Sequence, residues 1–248
     1  MNIIISASKQ ELGQRAASLG ANLVREAIAE KGEANIIVAT GASQFEMLSA
    51  LIEEEIDWSK VNGFHLDEYI DLPIDHPASF RKYLKERFVD KVKPQNFYYV
   101  DGEKDPDEEC TRLADIMGKH PIDVAFVGIG ENAHLAFNDP PADFQTKVSF
   151  LAVNLDDACR AQQYNEGWFN SLAEVPKRAI SMSIHQILQS KHIICSVPDE
   201  RKSDAVSKAL YGAVSPEIPA SVLQNHQNTY FYLDQESASR IPQSSNDE

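Results

Sequence analysis

Short runs of consecutive apolar residues alternate with longer amphipathic stretches along the whole chain. The runs are rich in Val, Ile and Phe and apolar at nearly every position, which is typical of strands that are covered on both faces. We predict strands at residues 35–40, 63–66, 97–100, 123–128, 148–153, 179–184, 192–197 and 230–233.

The stretches between these strands repeat apolar residues at helical spacing. The first begins at Ser8 and Glu11, which have the spacing of a capping box, and continues as an apolar stripe from Leu12 to Ala27. Further helices are predicted at about 44–54, 78–90, 106–118 and 200–211. The alternation predicts a single α/β domain, 1–248, that is doubly wound and Rossmann-like, with a mainly parallel sheet and helices on both faces. Its last residues, 240–248, are predicted to be a flexible tail.

Composition and charge narrow the classes of protein and partner. The 248 residues include 23 Lys and Arg against 38 Asp and Glu, so the net charge is −15. A field of this sign repels phosphate backbones and no dense basic stretch offsets it, so we expect no nucleic-acid partner. No apolar run has the length of a membrane span, and the N-terminal run is too short and uncharged for a signal peptide. Three cysteines without paired spacing indicate reduced thiols and a cytoplasmic protein.

The loop after the first predicted strand has the residues of a phosphate site. In this architecture ligands bind at the carboxyl ends of the strands. Thr40 and Ser43 offer hydroxyl groups there, Gly41 allows close approach of the backbone, and the next helix begins near Phe45. Together with Ala42 they can hold a phosphate monoester. An ordinary capped turn between a strand and a helix is the alternative.

Two adjacent carboxylates, Asp67 and Glu68, follow the next strand. Neighbouring side chains of a strand point to opposite faces, so only one of them can face a ligand crevice. A carboxylate in that place can act as a general base, with its pKa adjusted by partial burial. The alternative is a carboxylate that caps a helix or forms a salt bridge.

The richest polar loop follows the strand at 123–128. Two glycines, the second of them Gly130, precede Asn132, His134 and Asp139, and a pair of prolines ends the segment. Such a dense polar cluster is poor core material, and it can supply a histidine that titrates near neutral pH with side chains that fix its tautomer. One histidine without a second His or Cys is a weak zinc pattern. The other alternative is a lone surface histidine among turn residues.

These loops, together with three further segments, resemble one known family. The matching segments are Thr40–Gln44, Leu66–Tyr69, His76–Phe80, Gly128–Pro140, Val175–Met182 and Pro219–His226. In this order, over about 35–235, they resemble the glucosamine-6-phosphate deaminase family, which shares its fold with the 6-phosphogluconolactonases. The lactonases continue the histidine motif with Ser-Leu-Phe-Pro, so the sequence Phe137-Asn-Asp-Pro140 favours the aminosugar branch.

The resemblance implies a reaction and roles for individual residues. Family members open the ring of an aldohexosamine 6-phosphate, move a proton from C2 to C1 and release ammonia to give a ketose 6-phosphate, with no cofactor and no metal. Asp67 would carry the proton, which suits a carboxylate that accepts and returns one proton on the same face. His134 would assist ring opening, with Asn132 and Asp139 beside it.

The resemblance also implies the binding residues and the general character of the protein. The phosphate would lie in the loop from Thr40 to Ser43, joined by Lys202, and Gly130 would belong to the binding site. The expected class is an aminosugar phosphate deaminase, a hydrolase, whose partner is a small amino-sugar phosphate. A homo-oligomer is expected as a possible assembly.

Three departures from the family pattern bear on these roles. The family's Asp before the histidine is Asn132, which can orient His134 but carries no charge to stabilise the imidazolium. The family's Glu is Asp139, which is one methylene shorter. The family's phosphate-contacting arginine before the Val-Pro segment is missing, and the nearest candidate is Arg160. Galactosamine-6-phosphate-type relatives also carry Asn at the first of these positions, so the changes can mark a different hexosamine.

Two other functions remain open at this point. A non-catalytic sugar-phosphate sensor would keep the phosphate loop and tolerate change at Asn132 and Asp139, but the intact Asp67 and His134 weigh against it. A lactone hydrolase would use the His134 loop to activate water, and the residues after His134 disfavour it.

Overall fold

The parallel sheet has seven strands in the part of the chain that the structure, a computed structural model, describes, residues 1–242. Their order is β1-β10-β9-β6-β2-β3-β5, and every neighbouring pair is parallel. The strands of this sheet are β1 (Asn2–Ser6), β2 (Ala34–Val38), β3 (Val61–His65), β5 (Asn96–Tyr98), β6 (Val124–Val127), β9 (His192–Val197) and β10 (Thr229–Asp234). The predicted fold class is confirmed, with β1 as a strand that the hydrophobic pattern missed.

Three further strands form a separate sheet instead of extending the first one. They are β4 (Asp67–Tyr69), β7 (Phe150–Asn154) and β8 (Arg178–Met182), paired antiparallel in the order β4-β8-β7. Two of the predicted apolar runs, 148–153 and 179–184, therefore lie outside the main sheet. The chain leaves that sheet after Leu66, where Asp67 takes Ser181 as its antiparallel partner. Half-exposure of β7 agrees with its position at an edge.

Helices cover both faces of the main sheet, because alternate strand residues point to opposite sides. On β2, Ile36 and Val38 pack in the cluster that contains α1 and α2, whereas Ile37, and Ala39 directly after the strand, pack in the cluster that contains α5 and α8. The helices are α1 (Lys9–Lys31), α2 (Phe45–Leu51), α3 (Phe80–Leu84), α4 (Asp90–Val92), α5 (Pro106–Met117), α6 (Asp157–Asn165), α7 (Ile184–Leu188) and α8 (Ser203–Tyr211). The π-helical turn Lys85–Val89 joins α3 to α4.

The first helix shows how the sequence defines an element. Ser8 accepts a hydrogen bond from the Glu11 amide at 3.2 Å, and the Glu11 carboxylate accepts one from the Ala7 amide at 2.8 Å. Gly32, with φ of 87°, ends the helix in the left-handed region that glycine tolerates. Burial of Leu12 and its stripe against the sheet contributes about 1.5–3 kcal/mol per large side chain.

Chain order places four loops at one edge of the main sheet. Strands β9, β6, β2 and β3 are consecutive neighbours, and the loops that follow them contain Lys202, His134, Ser43 and Asp67. The strand order reverses between β2 and β6, which is where ligands bind in such sheets. None of the helices in residues 1–242 is long and apolar enough to cross a membrane. The predicted tail, 240–248, lies from residue 243 onwards outside the described residues.

Candidate active site

A cavity of about 330 Å³ lies at this edge of the sheet, between the four loops and α6. Eight of the eleven predicted site residues line it: Thr40, Gly41, Ala42, Ser43, Asp67, Gly130, His134 and Lys202. Asn132 and Asp139 lie behind His134, and Arg160 lies elsewhere. The topology therefore brings together segments that are far apart in the sequence.

The shape of the loop after β2 is fixed by the backbone conformation of Gly41 and by hydrogen bonds from the side chains of Tyr83 and Gln44. Gly41 has φ of 94°, a conformation that residues with a side chain rarely adopt, and its carbonyl oxygen accepts a hydrogen bond from the Tyr83 hydroxyl at 3.0 Å. The buried Gln44 donates to Ser43 Oγ and to the Ser196 carbonyl oxygen, both at 3.2 Å. The loop is thus fastened to β9 and leaves its hydroxyl groups toward the cavity.

The two adjacent acids separate as strand alternation requires. Asp67 lines the cavity with 6% of its surface exposed, whereas Glu68 is fully buried on the other side of β4. Glu68 accepts hydrogen bonds from Ser79 Oγ at 2.9 Å and from the Arg81 amide at 2.8 Å, and it pairs with the Arg81 guanidinium at 3.3 Å. Burial raises the pKa of Glu68, and these donors act against that rise. Glu68 therefore fastens β4 to α3.

Burial changes the chemistry of Asp67 itself. Removal from water, with a smaller contribution from the neighbouring Glu68, raises the pKa of Asp67 to about 8. A carboxyl group with a pKa near neutral can both accept and return a proton under ordinary conditions. Asp67 is therefore suited to general acid and base work.

His134 is held in the cavity wall by a strained loop. Ala133, directly before it, and Ala136, two residues after it, have positive φ, 65° and 52°, which costs free energy for residues other than glycine. A Cβ at Gly130 would collide with the imidazole ring, so glycine makes room for the histidine there. Gly130 also donates its amide to the His134 carbonyl oxygen at 3.0 Å.

Asn132 and Asp139 position His134 from behind. The Asn132 side chain accepts from the His134 amide at 3.1 Å and donates to Asp139 at 3.1 Å. Asp139 Oδ1 lies 3.2 Å from His134 Nδ1, close enough for an ion pair with a protonated ring but away from the direction of a linear hydrogen bond. The shorter Asp139 side chain therefore still reaches the histidine.

Asp139 is kept ionised although it is largely buried. Burial favours its neutral form, but contacts with His134, the Asp156 amide and Asn132 outweigh it and hold the pKa of Asp139 below its usual value. The Asp156 amide donates to Asp139 Oδ2 at 3.0 Å, which ties the start of α6 to this carboxylate.

Lys202 and Arg201 provide positive charge at the opposite wall. Both lie on the 3₁₀ turn Glu200–Lys202 after β9 and line the cavity. Lys202 is 5% exposed, and burial lowers the pKa of its ammonium group. Arg201 is half-exposed and pairs with Asp199 at 2.8 Å and with Glu131 at 3.6 Å. An anion in the cavity would meet both cations.

Arg160 does not line the cavity. Its guanidinium donates to the carbonyl oxygens of Leu172 and Val175, at 2.9 and 3.2 Å, and lies 3.5 Å from Asp157. These bonds close the segment after α6 and point the side chain away from the phosphate loop. Arg160 is close in the sequence to the position of the family's arginine, but it does not line the cavity in the structure.

Several cavity residues were not predicted. Besides Arg201 they include Lys9, Glu46, Gln162, Gln163 and Glu166. Three of these lie on or just after α6, a helix that the hydrophobic pattern did not indicate. The signal that could have found it is the start at Asp156, whose side chain caps the Cys159 amide.

One trio of potential metal ligands occurs in the described part of the chain, His134, Asp139 and Cys159. Burial, with the nearby Asp139 and Asp156, raises the pKa of the Cys159 thiol well above its usual value. Asp139 already accepts from the Asn132 side chain and from the Asp156 amide, so both of its oxygens are engaged within the protein.

Comparison with known proteins establishes the family. Residues 7–232 match the family described as glucosamine-6-phosphate isomerases/6-phosphogluconolactonase. The chain belongs to this family. A glucosamine-6-phosphate deaminase from Lactobacillus delbrueckii subsp. bulgaricus is 34% identical over 242 residues, which cover 97% of this chain and 100% of that protein. A glucosamine-6-phosphate deaminase from Bacillus cytotoxicus is 32% identical, and the aligned region covers 100% of this chain and 92% of that protein.

Two solved structures share the fold of this chain. A monomeric glucosamine-6-phosphate deaminase has a TM-score of 0.87 at 30% identity and covers 96% of this chain and 99% of its own. A 6-phosphogluconolactonase from Shewanella baltica has a TM-score of 0.78 at 20% identity, with 94% of this chain and 97% of its own covered. The second likeness shows a shared fold.

Proposed function

We propose that this protein converts a hexosamine 6-phosphate and water into a ketohexose 6-phosphate and ammonia. The observation that carries the proposal is the cavity itself. A buried carboxyl group with a pKa near neutral, a histidine with a carboxylate partner and a two-cation wall face one space of about 330 Å³. That set matches the needs of proton transfer on a phosphorylated sugar.

The phosphate has a natural place between the loop from Thr40 to Ser43 and Lys202. Charge-assisted hydrogen bonds are the strong ones, and a buried ammonium gains most from a dianion. Arg201 takes the part that the resemblance gave to Arg160, because it faces the cavity and Arg160 does not. Phosphate held at this wall would leave the reacting carbons toward Asp67.

Asp67 and His134 divide the proton chemistry. His134 serves the ring oxygen as the pyranose opens to the aldehyde. Asp67 then takes the hydrogen of C2 as a proton, while the C1 oxygen takes up the proton that the substrate's ammonium group releases, so that an enolamine forms. The same carboxyl group returns its proton to C1. Water adds to the resulting imine and ammonia leaves, so the atoms balance and the overall change is a hydrolytic deamination. The proposal includes the enzyme class, a hydrolase, and a cytoplasmic location. Assembly into a homo-oligomer is part of the same proposal.

The test uses three substrates and two products. Purified protein is incubated separately with glucosamine 6-phosphate, galactosamine 6-phosphate and 6-phosphogluconolactone, and ammonia and ketose phosphate are measured. Ammonia and ketose phosphate in equal amounts from one hexosamine phosphate support the proposal and identify the epimer. Absence of ammonia from both would refute it. Turnover of the lactone alone would instead support the lactonase alternative, for which the present likeness shows only the fold.

A further inference from the structure

Gln163 on α6 is a buried amide whose oxygen is hydrogen-bonded and whose NH₂ group has no acceptor among the described residues. It is 6% exposed and lines the cavity. Its Oε1 accepts a hydrogen bond from the Tyr69 hydroxyl at 2.8 Å, and within residues 1–242 no group accepts from its Nε2. A buried amide normally uses its donors, so an amide whose NH₂ faces a cavity indicates a ligand acceptor.

The contact with Tyr69 fixes which way the amide faces. Tyr69 is fully buried, and its ring packs against Phe80, Phe137 and Phe169 with centroids 5.0, 5.3 and 5.6 Å away. With the tyrosine held and its proton donated to Oε1, the NH₂ group of Gln163 is left toward the cavity. Tyr69 stands two residues after Asp67 on β4, hence on the same face of the strand.

The helix that carries Gln163 is also fixed relative to His134. The neighbouring Gln162 accepts from the Glu131 amide at 2.9 Å and donates to Glu166 at 2.9 Å. The Asp156 amide, at the start of α6, donates to Asp139. α6 is therefore tied to the histidine loop, and Gln163 shares the cavity wall with Asp67 and His134.

We propose that Gln163 donates a hydrogen bond to an oxygen of the sugar bound in the cavity that Asp67 also lines. This rests on the proposed function. With its oxygen bonded to the Tyr69 hydroxyl, Gln163 offers its NH₂ group to the ligand as a donor. A donor suits a hydroxyl or carbonyl oxygen and not an ammonium group, so it favours binding with a sugar oxygen toward α6. Gln163 is thus a residue that determines the orientation and specificity of the sugar.

The first experiment compares Gln163→Met, which keeps the length and removes the donor, with Gln163→Glu, which keeps the shape and replaces the donor with an acceptor. Loss of one neutral hydrogen bond lowers kcat/KM about tenfold for Gln163→Met, and the loss should be larger for Gln163→Glu. Competitive inhibition by inorganic phosphate should change less than twofold, since the phosphate wall is untouched. Retention of kcat/KM within twofold by a folded Gln163→Met would overturn the proposal.

Tyr69→Phe tests the orienting contact. The ring stays, and the amide loses the donor that fixes it. If Tyr69 acts through Gln163, the double variant with Gln163→Met should be no worse than Gln163→Met alone. Additive losses would overturn that step. A general structural defect would instead lower the melting temperature and the phosphate affinity of every variant together, which would also count against the proposal.

Equilibrium binding separates this proposal from the proposed function. Titration calorimetry gives the dissociation constants of fructose 6-phosphate and of inorganic phosphate without any turnover. The ratio of these two constants is the preference for the sugar. If wild-type protein releases no ammonia from hexosamine phosphates, the proposed function fails, but this preference still tests Gln163. A drop of about tenfold in the preference with Gln163→Met supports the sugar contact. An unchanged preference, or none in wild type, overturns it.

Discussion

Replacement of Asp67 by Asn should sharply lower turnover and, at the same time, stabilise the unliganded protein relative to wild type as the pH rises to 8. The carboxyl group is buried in the cavity wall, and its pKa is raised to about 8. A raised carboxyl pKa means that the folded protein holds a proton that the unfolded chain releases. Stability from this group is therefore greatest at low pH and is lost as pH rises from about 4 to about 8. Asparagine has no proton to lose.

The magnitude follows from the difference in pKa. One unit corresponds to about 1.4 kcal/mol, so wild type should lose about 3–4 kcal/mol relative to Asp67→Asn between pH 5 and pH 8. For a chain of this size that is a widening of the gap in melting temperature by about 10 °C. Removal of a general base should lower kcat by about 10²–10⁴-fold.

The assay is thermal unfolding of both proteins in buffers from pH 5 to pH 8, with ammonia release measured in parallel. Asp115→Asn is the matched control, because Asp115 is an exposed residue of α5 and is solvated in both states. The difference in melting temperature between Asp115→Asn and wild type should stay constant over this pH range. A constant gap for Asp67→Asn as well would refute the raised pKa, and turnover within a few-fold of wild type would refute the role as proton carrier.

Four further substitutions test the other parts of the site. Lys202→Gln should raise KM about 10- to 100-fold in steady-state kinetics, and Arg201→Gln, at a half-exposed position, should raise it only a few-fold. Gly130→Ala should push the His134 ring aside and lower kcat about 100-fold with a small change in melting temperature. Asn132→Asp should move the pH–rate profile to higher pH, because an added negative charge stabilises the imidazolium; an unchanged profile would contradict the role of Asn132.

The edge of the sheet that carries the site could be predicted from the sequence because it depends on one topological rule. Parallel strands present their carboxyl ends at one edge, so the loops after β2, β3 and β6 were expected there, whereas Lys202 after β9 was implied only by the family resemblance. Alternation along a strand likewise separated Asp67 from Glu68. Both inferences use backbone periodicity, which a single sequence displays directly.

The second sheet and α6 could not be predicted in the same way. Apolar runs at 148–153 and 179–184 look like those of the main sheet, and what separates them is pairing with β4. α6 has polar residues on the face that lines the cavity, among them Gln162 and Gln163, so it lacks the apolar stripe of a core helix. Function, not packing, decides the residues on that face.

The choice between Arg160 and Arg201 shows the same limit for long side chains. Both are single arginines near a predicted loop, and nothing in their sequence neighbours gives the direction of a guanidinium. In the fold, the carbonyl oxygens of Leu172 and Val175 accept hydrogen bonds from Arg160. The turn after β9, in contrast, brings Arg201 beside Lys202. Placement of a long cation depends on tertiary contacts with no period along the chain.

The site concentrates features that cost the free protein stability, and a ligand can recover that cost. Asp67 is a carboxyl group and Lys202 an ammonium group, both removed from water. Ala133, Ala136 and Asp199 have positive φ in the loops that carry the reacting groups. A sugar phosphate would give Lys202 a counter-ion and give the strained loops new partners. Its binding should therefore raise the melting temperature more than inorganic phosphate does at equal concentration, since phosphate satisfies only one wall of the cavity and binds less tightly.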